Sequence, residues 1–393
     1  MVLNMSLMEL LKQRDLLNVL FAVFMFSFGF GIILPILPFY SISFGATPFE
    51  LGLLTATFAF MSLILSPVFG KIADSIGRKK VLAMGTTGFI IAYIVFAFAD
   101  SLFLVFVARA IEGVSAAAMF PSAVSLISDY STEKTRGAAM SLMGMAFSLG
   151  FILGPAFGGL ASHISIPIAF FLAALLSLTN TVLVVLFLKE PKEKEESKDI
   201  AQKEFNLLSH LKSRTLLFFA GTFMLSFLIG GLEAVFALFT FEKFGFGSGE
   251  VGLVFMYIGV LIFLGQLVSA KLLLKYRETT LIKAGFLMNS TGFLGIFFAP
   301  DMITLGLTLG LMVLGNSFSM PSVISMITKR VEGKRGAILG LNASFQSLGQ
   351  LIGPIFAGFL FGISHIFSFI GIWAVLLGYF VIFTLFGFLK KEF

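Results

Sequence analysis

The chain has 393 residues, 58% of them apolar and 12% charged, with a formal net charge of +6. A mean hydropathy of +1.02 excludes an ordinary soluble domain. The absence of cysteine excludes disulfides, thiolate metal sites and cysteine nucleophiles, and the isolated His163, His210 and His365 lack metal-ligand spacing.

Twelve apolar runs follow in chain order, at about 16–40, 50–70, 80–99, 102–127, 137–160, 166–188, 215–241, 250–273, 280–299, 302–328, 336–360 and 366–389. About 20 helical residues cross a bilayer core of about 30 Å, whereas barrel strands are shorter and alternate. The predicted fold is therefore an all-α polytopic membrane protein with twelve transmembrane helices. The first run is too long for the apolar core of a cleavable signal peptide.

One long polar gap, residues 190–213, reads as a solvated cytoplasmic linker. It separates an N-terminal six-helix bundle, residues 1–189, from a C-terminal one, residues 214–393. If the N-terminus is cytoplasmic, every Lys and Arg except Lys243 and Arg109 falls on the cytoplasmic side or at that end of a span. This positive-inside asymmetry places both termini in the cytoplasm of a multi-pass protein of the cell (inner or plasma) membrane. The basic balance is thus a topology signal, and no nucleic-acid partner is expected.

The halves share sequence at an offset of about 200. Phe120-Pro121-Ser122 recurs as Met320-Pro321-Ser322, Arg136-Gly137-Ala138 as Arg335-Gly336-Ala337, and Gly154-Pro155 as Gly353-Pro354. Parallel six-span repeats of this kind build facilitator-type transporters, with the solute site expected near the midplane between the halves.

Several motifs stand out along the chain. Span one ends Gly29-Phe30-Gly31 and then Pro35-Ile36-Leu37-Pro38. The loop after span two carries Gly70, Ala73, Asp74, Gly77, Arg78, Lys79 and Lys80. Here Gly70 suits close helix approach and Gly77 a tight turn. Span four holds Arg109, Glu112 and Gly113, span five Gly150, Gly154, Pro155, Gly158 and Gly159, and span seven Glu233. Glycines four residues apart make a smooth stripe for another helix.

These patterns resemble the major facilitator superfamily, and within it the twelve-span drug/proton antiporters, with a likeness to small bacterial multidrug efflux transporters. The resemblance implies a cytoplasmic latch of Gly70, Asp74, Gly77 and Arg78. In it Arg78 engages Asp129 and Asp74 faces Gly336 at the start of span eleven. It also implies an antiporter helix-packing motif in span five. The second-half counterpart has Leu274 where aspartate is expected, which argues against a symmetric second latch.

Arg109, Glu112 and Glu233 are the charged residues set inside apolar runs. Ionisable groups in hydrocarbon cost at least about 2.5–3.5 kcal/mol, which makes them functional candidates. Glu112 lies about ten residues into its span, roughly 15 Å deep, and Arg109 is at i,i+3 from it, so the two can share one face. They are either a structural ion pair or parts of a proton switch together with Glu233, which has no cation near it in sequence. Met25, Met119, Phe120, Phe236, Met312 and Met320 suit varied hydrophobic solutes, with Asn316, Asn342 and Gln346 as polar candidates. Asp100 and Asp301 read as helix caps.

The expected function is secondary active export of lipophilic, cationic compounds by proton-coupled antiport and alternating access. Substrate-binding candidates are Glu233, Glu112, Met25, Met119, Phe120, Phe236, Asn316, Met320 and Gln346. The rivals are export of a sugar, tetracycline-like or neutral metabolite, and translocation of lipid or other amphiphiles. An enzyme is not expected, because no nucleophile–base pair, metal cluster or phosphate loop is visible. The chain is expected to act as a monomer amid membrane lipid on small amphiphilic solutes, with no cofactor and the proton as coupling ion.

Overall fold

The computed structural model describes residues 10, 12–132, 135–191, 215–329 and 335–389, with the side chains of 335–337 and 386–389 outside that description. Most of the expected linker, including His210, therefore lies outside the described residues. Among these residues the helices are α1 Arg14–Ile33, α2 Leu37–Ser43, α3 Pro48–Ile76, α4 Arg78–Ala97, α5 Leu102–Asp129, α6 Arg136–Ile164 and α7 Ile166–Phe187. The second set is α8 Thr215–Phe244, α9 Ser248–Lys275, α10 Glu278–Phe298, α11 Met302–Lys329, α12 Arg335–Ile363 and α13 His365–Leu389. They make 12 helical stretches long and apolar enough to cross a membrane.

α1 and α2 together form the first span. Pro35 has no amide hydrogen to continue the helix, so the chain turns over residues 34–36 and restarts with Pro38 in the first turn of α2. Tyr40 then fixes the end of this span, its hydroxyl lying 2.9 Å from both the Phe96 and Ala99 carbonyl oxygens.

The chain forms two compact units. The first comprises Met1–Ala46, Thr57–Glu193 and Thr240–Gly259, and the second Thr47–Ala56, Lys194–Phe239 and Val260–Phe393. In the first unit, the glycine stripe of α6 lies on the backbone of α1. A Cβ on Gly150 would stand 2.5 Å from the Phe24 carbonyl oxygen, and one on Gly154 would stand 2.6 Å from that of Phe28. One on Gly158 would overlap the Ile32 carbonyl. Side chains at these points would push the helices apart, so the stripe fixes the α1–α6 crossing. Gly159, on the flank of the stripe, meets Ser248 and Gly249 at the start of α9. Gly252 in turn covers the Pro155 carbonyl, a further close backbone approach.

The second unit repeats the device. Gly349 and Gly353 of α12 sit on the Phe223 and Phe227 carbonyls of α8. α10 and α11 cross at Gly285 and Gly315, where a Cβ on either would clash with the other's carbonyl at 2.5–2.6 Å. Among the described residues, a Cβ on Gly70 would meet nothing within 4 Å.

Candidate functional site: a caged ion pair and a capped latch

α5 places Arg109 and Glu112 on one face, one turn apart. Arg109 Nη1 donates to Glu112 Oε2 at 2.6 Å, with side chains 1% and 0% exposed. Gly113 then governs what stands beside them. A Cβ on it would lie 2.6 Å from the Phe58 carbonyl oxygen and 2.9 Å from the Met61 Cβ, so only glycine admits α3 this close. The approach sets the Phe58 ring 4.9 Å from Arg109 Cζ, with the Phe30 ring of α1 at 5.8 Å. The two rings are 5.4 Å apart. Tyr93 lies within electrostatic reach of both charges.

Burying two ions costs several kcal/mol each, and their attraction offsets this only when the remaining lone pairs are also satisfied. Here Glu112 Oε1 has no hydrogen-bond partner among the described residues. Packing alone does not account for a pair left one bond short, and this supports a functional role.

Glu233, on α8, is flanked by buried Leu232 and Ala234 but is itself half-buried. The remaining solute candidates divide by unit. In the first, Phe120 joins an aromatic cluster with Phe26 at 5.5 Å and Phe147 at 5.9 Å, and Met25 of α1 is half-buried. Met119 is 1% exposed and pressed against Gly85 of α4, which makes it part of the helix contact. In the second, Gln346 Nε2 lies 3.8 Å from the Met320 sulfur. Phe236, Met312 and Asn342 are buried, and Asn316 is half-buried on α11.

The loop motif forms a built junction. Arg78 pairs with Asp129 at the end of α5 and reaches Asp74 at 3.6 Å. Gly77 has φ +106, open to glycine, and its missing Cβ makes room for the Glu190 carboxylate. Glu190 Oε1 accepts from the Arg78 amide at 2.6 Å and Oε2 from the Lys79 amide at 3.1 Å, capping α4 from 112 residues away. Burial, then the negative charges of Asp15, Glu190 and Asp129, hold the Tyr130 hydroxyl above its ordinary range. It therefore stays protonated and donates to the Lys189 carbonyl. Gly336, the expected partner of Asp74, lies among residues whose side chains are outside the description.

The second unit also carries an ion pair at the equivalent place. Glu278 at the start of α10 pairs with Lys329 at the end of α11 and accepts from Ser325 Oγ at 3.2 Å. Leu274 itself is 90% exposed, outside this junction. The charges are in the reverse order to Arg78 and Asp129, so a search for aspartate at one position misses the bridge. At the outer loops, Asp301 caps α11 through the Thr304 amide at 2.8 Å. Asp100 instead bonds the hydroxyl of Ser101, which occupies the cap position of α5.

Sequence reasoning reached the ion pair and the Arg78–Asp129 contact but missed Phe30, Phe58 and Glu190. Gly113, four residues after Arg109, was the available signal that another helix comes close there. Nothing in the sequence singles out Phe58 among 51 phenylalanines.

Twelve helices this long and apolar, with few charges across them, are those of a multi-pass membrane protein. The chain belongs to the major facilitator superfamily, whose family profile matches residues 19–316. It is 27% identical over 353 residues to the quinolone resistance protein NorA of Staphylococcus aureus (strain COL), covering 89% of this chain and 91% of that one. Multidrug resistance proteins 1 and 2 of Bacillus subtilis (strain 168) are 28% and 29% identical; these matches span 88% and 91% of this chain and 89% and 92% of theirs. In fold it is similar to a bacterial homologue of the human lysosomal transporter Spinster, with TM-score 0.81, 16% identity and 96% of both chains covered.

Proposed function

We propose that this protein is a multidrug exporter that moves lipophilic cations out of the cytoplasm in exchange for protons, by alternating access. The observation that carries the reading is the Arg109–Glu112 pair, fully buried and cradled by two aromatic rings, with Glu112 Oε1 unpartnered among the described residues. Resistance-protein relatives matched over about nine-tenths of both chains support multidrug export.

In this reading the chain is a monomer of the plasma or inner membrane, with both termini cytoplasmic. Protons arriving from outside neutralise Glu233 or Glu112, and the solute, no longer held by a carboxylate, leaves outward. Arg109 pairs with Glu112 until the proton arrives. Asp74, Arg78 and Asp129 stabilise the form closed on the cytoplasmic side, and the Gly150–Gly158 stripe keeps the α1–α6 crossing rigid. Phe120, Met25, Met320, Gln346, Asn316, Phe236 and Met119 are the candidate solute walls and their supports.

Purified protein in proteoliposomes with an imposed pH gradient tests this. Wild type is expected to move cationic dyes up the gradient of protons, and Glu233→Gln to move them several-fold more slowly. Equal rates in the two proteins would remove Glu233 from coupling. Gradient-driven movement of neutral but not cationic compounds would replace the solute class, and no gradient-driven movement at all would overturn antiport.

A further inference from the structure

Arg109 is itself a delocalised, weakly hydrated cation. It lies over the faces of Phe30 and Phe58 at 5.8 and 4.9 Å, with the Glu112 carboxylate at 2.6 Å. Two aromatic faces and one carboxylate are the chemistry that recognises quaternary and aromatic cations. Both rings are half-buried while the two charged side chains are sealed. Glu112 Oε1, unpartnered among the described residues, is an unused acceptor in the same place.

The cage is not a by-product of the repeat. With α1 matched to α8 and α3 to α9 by their glycine contacts, the equivalent residues of the sequence repeat are Ile229, Ile258, Leu309 and Met312. The repeat carries neither rings nor charges at these positions, and Val313 stands where the first half has Gly113.

We propose that Phe30, Phe58 and Glu112 form the subsite for the cationic head of the solute, and that Arg109 occupies it as a tethered competitor. The inference rests on the cationic-solute part of the function proposed above, and it adds where that charge binds and what must leave first. When the guanidinium swings out, an incoming monocation takes its place over the two rings and against Glu112. When the solute departs, Arg109 returns and spares the carboxylate an unpaired burial. Neutral solutes gain nothing from the cage.

The test is equilibrium binding to the full-length protein in detergent, with tetraphenylphosphonium as the cation and triphenylphosphine oxide as its neutral comparator. Arg109→Met removes the competitor and is expected to tighten phosphonium binding roughly tenfold, the order expected of a desolvated cation–π contact. The phosphine oxide should be unaffected. Arg109→Lys keeps a charge for Glu112 but stacks less well, and should tighten it a few-fold. It decides the matter if the methionine variant does not fold. Adding Phe58→Leu to either variant should abolish the gain. If wild type binds phosphonium and the folded Arg109 variants bind it no more tightly, the competitor role is wrong. If every variant binds the neutral compound but not the cation, the cationic reading fails and the cage with it. Neither result depends on proton coupling, because the assay has no gradient.

Discussion

Each unit closes its α4–α5 or α10–α11 pair with an ion pair at the same place, but with the signs exchanged. Arg78 faces Asp129 in the first unit, with its Nη1 3.4 Å from the Ser125 carbonyl oxygen. Glu278 faces Lys329 in the second, with Ser325 donating to it. The second arrangement suits the helices: an acidic group at the N-terminus of α10 and a basic one at the C-terminus of α11 each oppose the local dipole. The first has both signs wrong for the dipoles. Glu190 supplies the anion that the start of α4 would otherwise lack, through the amides of Arg78 and Lys79. The motif arginine is thus retained at a local electrostatic cost that the second unit avoids. A residue kept against its helix dipole points to work elsewhere, here the proposed latch.

The same contrast runs deeper in the spans. Arg109 and Glu112 of α5 stand where α11 has Leu309 and Met312. Conversely, α10 and α11 carry Asn289, Ser290 and Ser319, all buried and without hydrogen-bond partners among the described residues, where the first unit has Phe89, Ile90 and Met119. One scaffold of glycine crossings holds ions in one unit and neutral amides and hydroxyls in the other.

Breaking this contrast should have its largest effect at the ion pair. Arg109→Leu or Glu112→Met alone leaves one buried charge and should cost about 3–5 kcal/mol, read as a fall in the unfolding midpoint. The double variant, which copies the second unit, should recover most of that stability and still lose transport. The glycine crossings come next. Gly154→Val should cost about 1–3 kcal/mol by overpacking against α1. Gly144→Ala, with nothing within 4 Å among the described residues, should leave the unfolding midpoint unchanged.

Glu190→Ala should cost about 0.5–2 kcal/mol, the range for a lost helix cap. The sharper comparison adds Arg78→Glu with Asp129→Lys, which gives the first unit the polarity of the second. In that background Glu190→Ala should cost almost nothing in the same melting assay. The smallest effect concerns Asp301, whose carboxyl the Thr304 amide holds below its ordinary value. A depressed folded value stabilises above the unfolded value of about 3.9 and is lost as pH falls through the folded one. Asp301→Ala should therefore lower the midpoint slightly at pH 7 and not at pH 2.

The spans were legible because hydropathy needs only one residue at a time. The ion pair was legible because i,i+3 spacing on a helix fixes its own geometry. Arg78 with Asp129 followed from a motif whose partners are named by position. Glu278 with Lys329 was hidden because the motif specifies residue types and the second unit exchanged them. Glu190 caps a helix 112 residues earlier, a distance no local pattern spans. Phe58 depends on α3 reaching Gly113, and that is a property of packing.

The central claim is that Glu112, with Arg109, couples solute movement to protons. The most direct measurement follows the lumenal pH of proteoliposomes loaded with a trapped pH dye while a lipophilic cation is added outside. Wild type should show a solute-dependent proton flux of opposite direction to the cation. The stable double variant Arg109→Leu with Glu112→Met should show none. An undiminished solute-dependent proton flux in that variant would contradict the account.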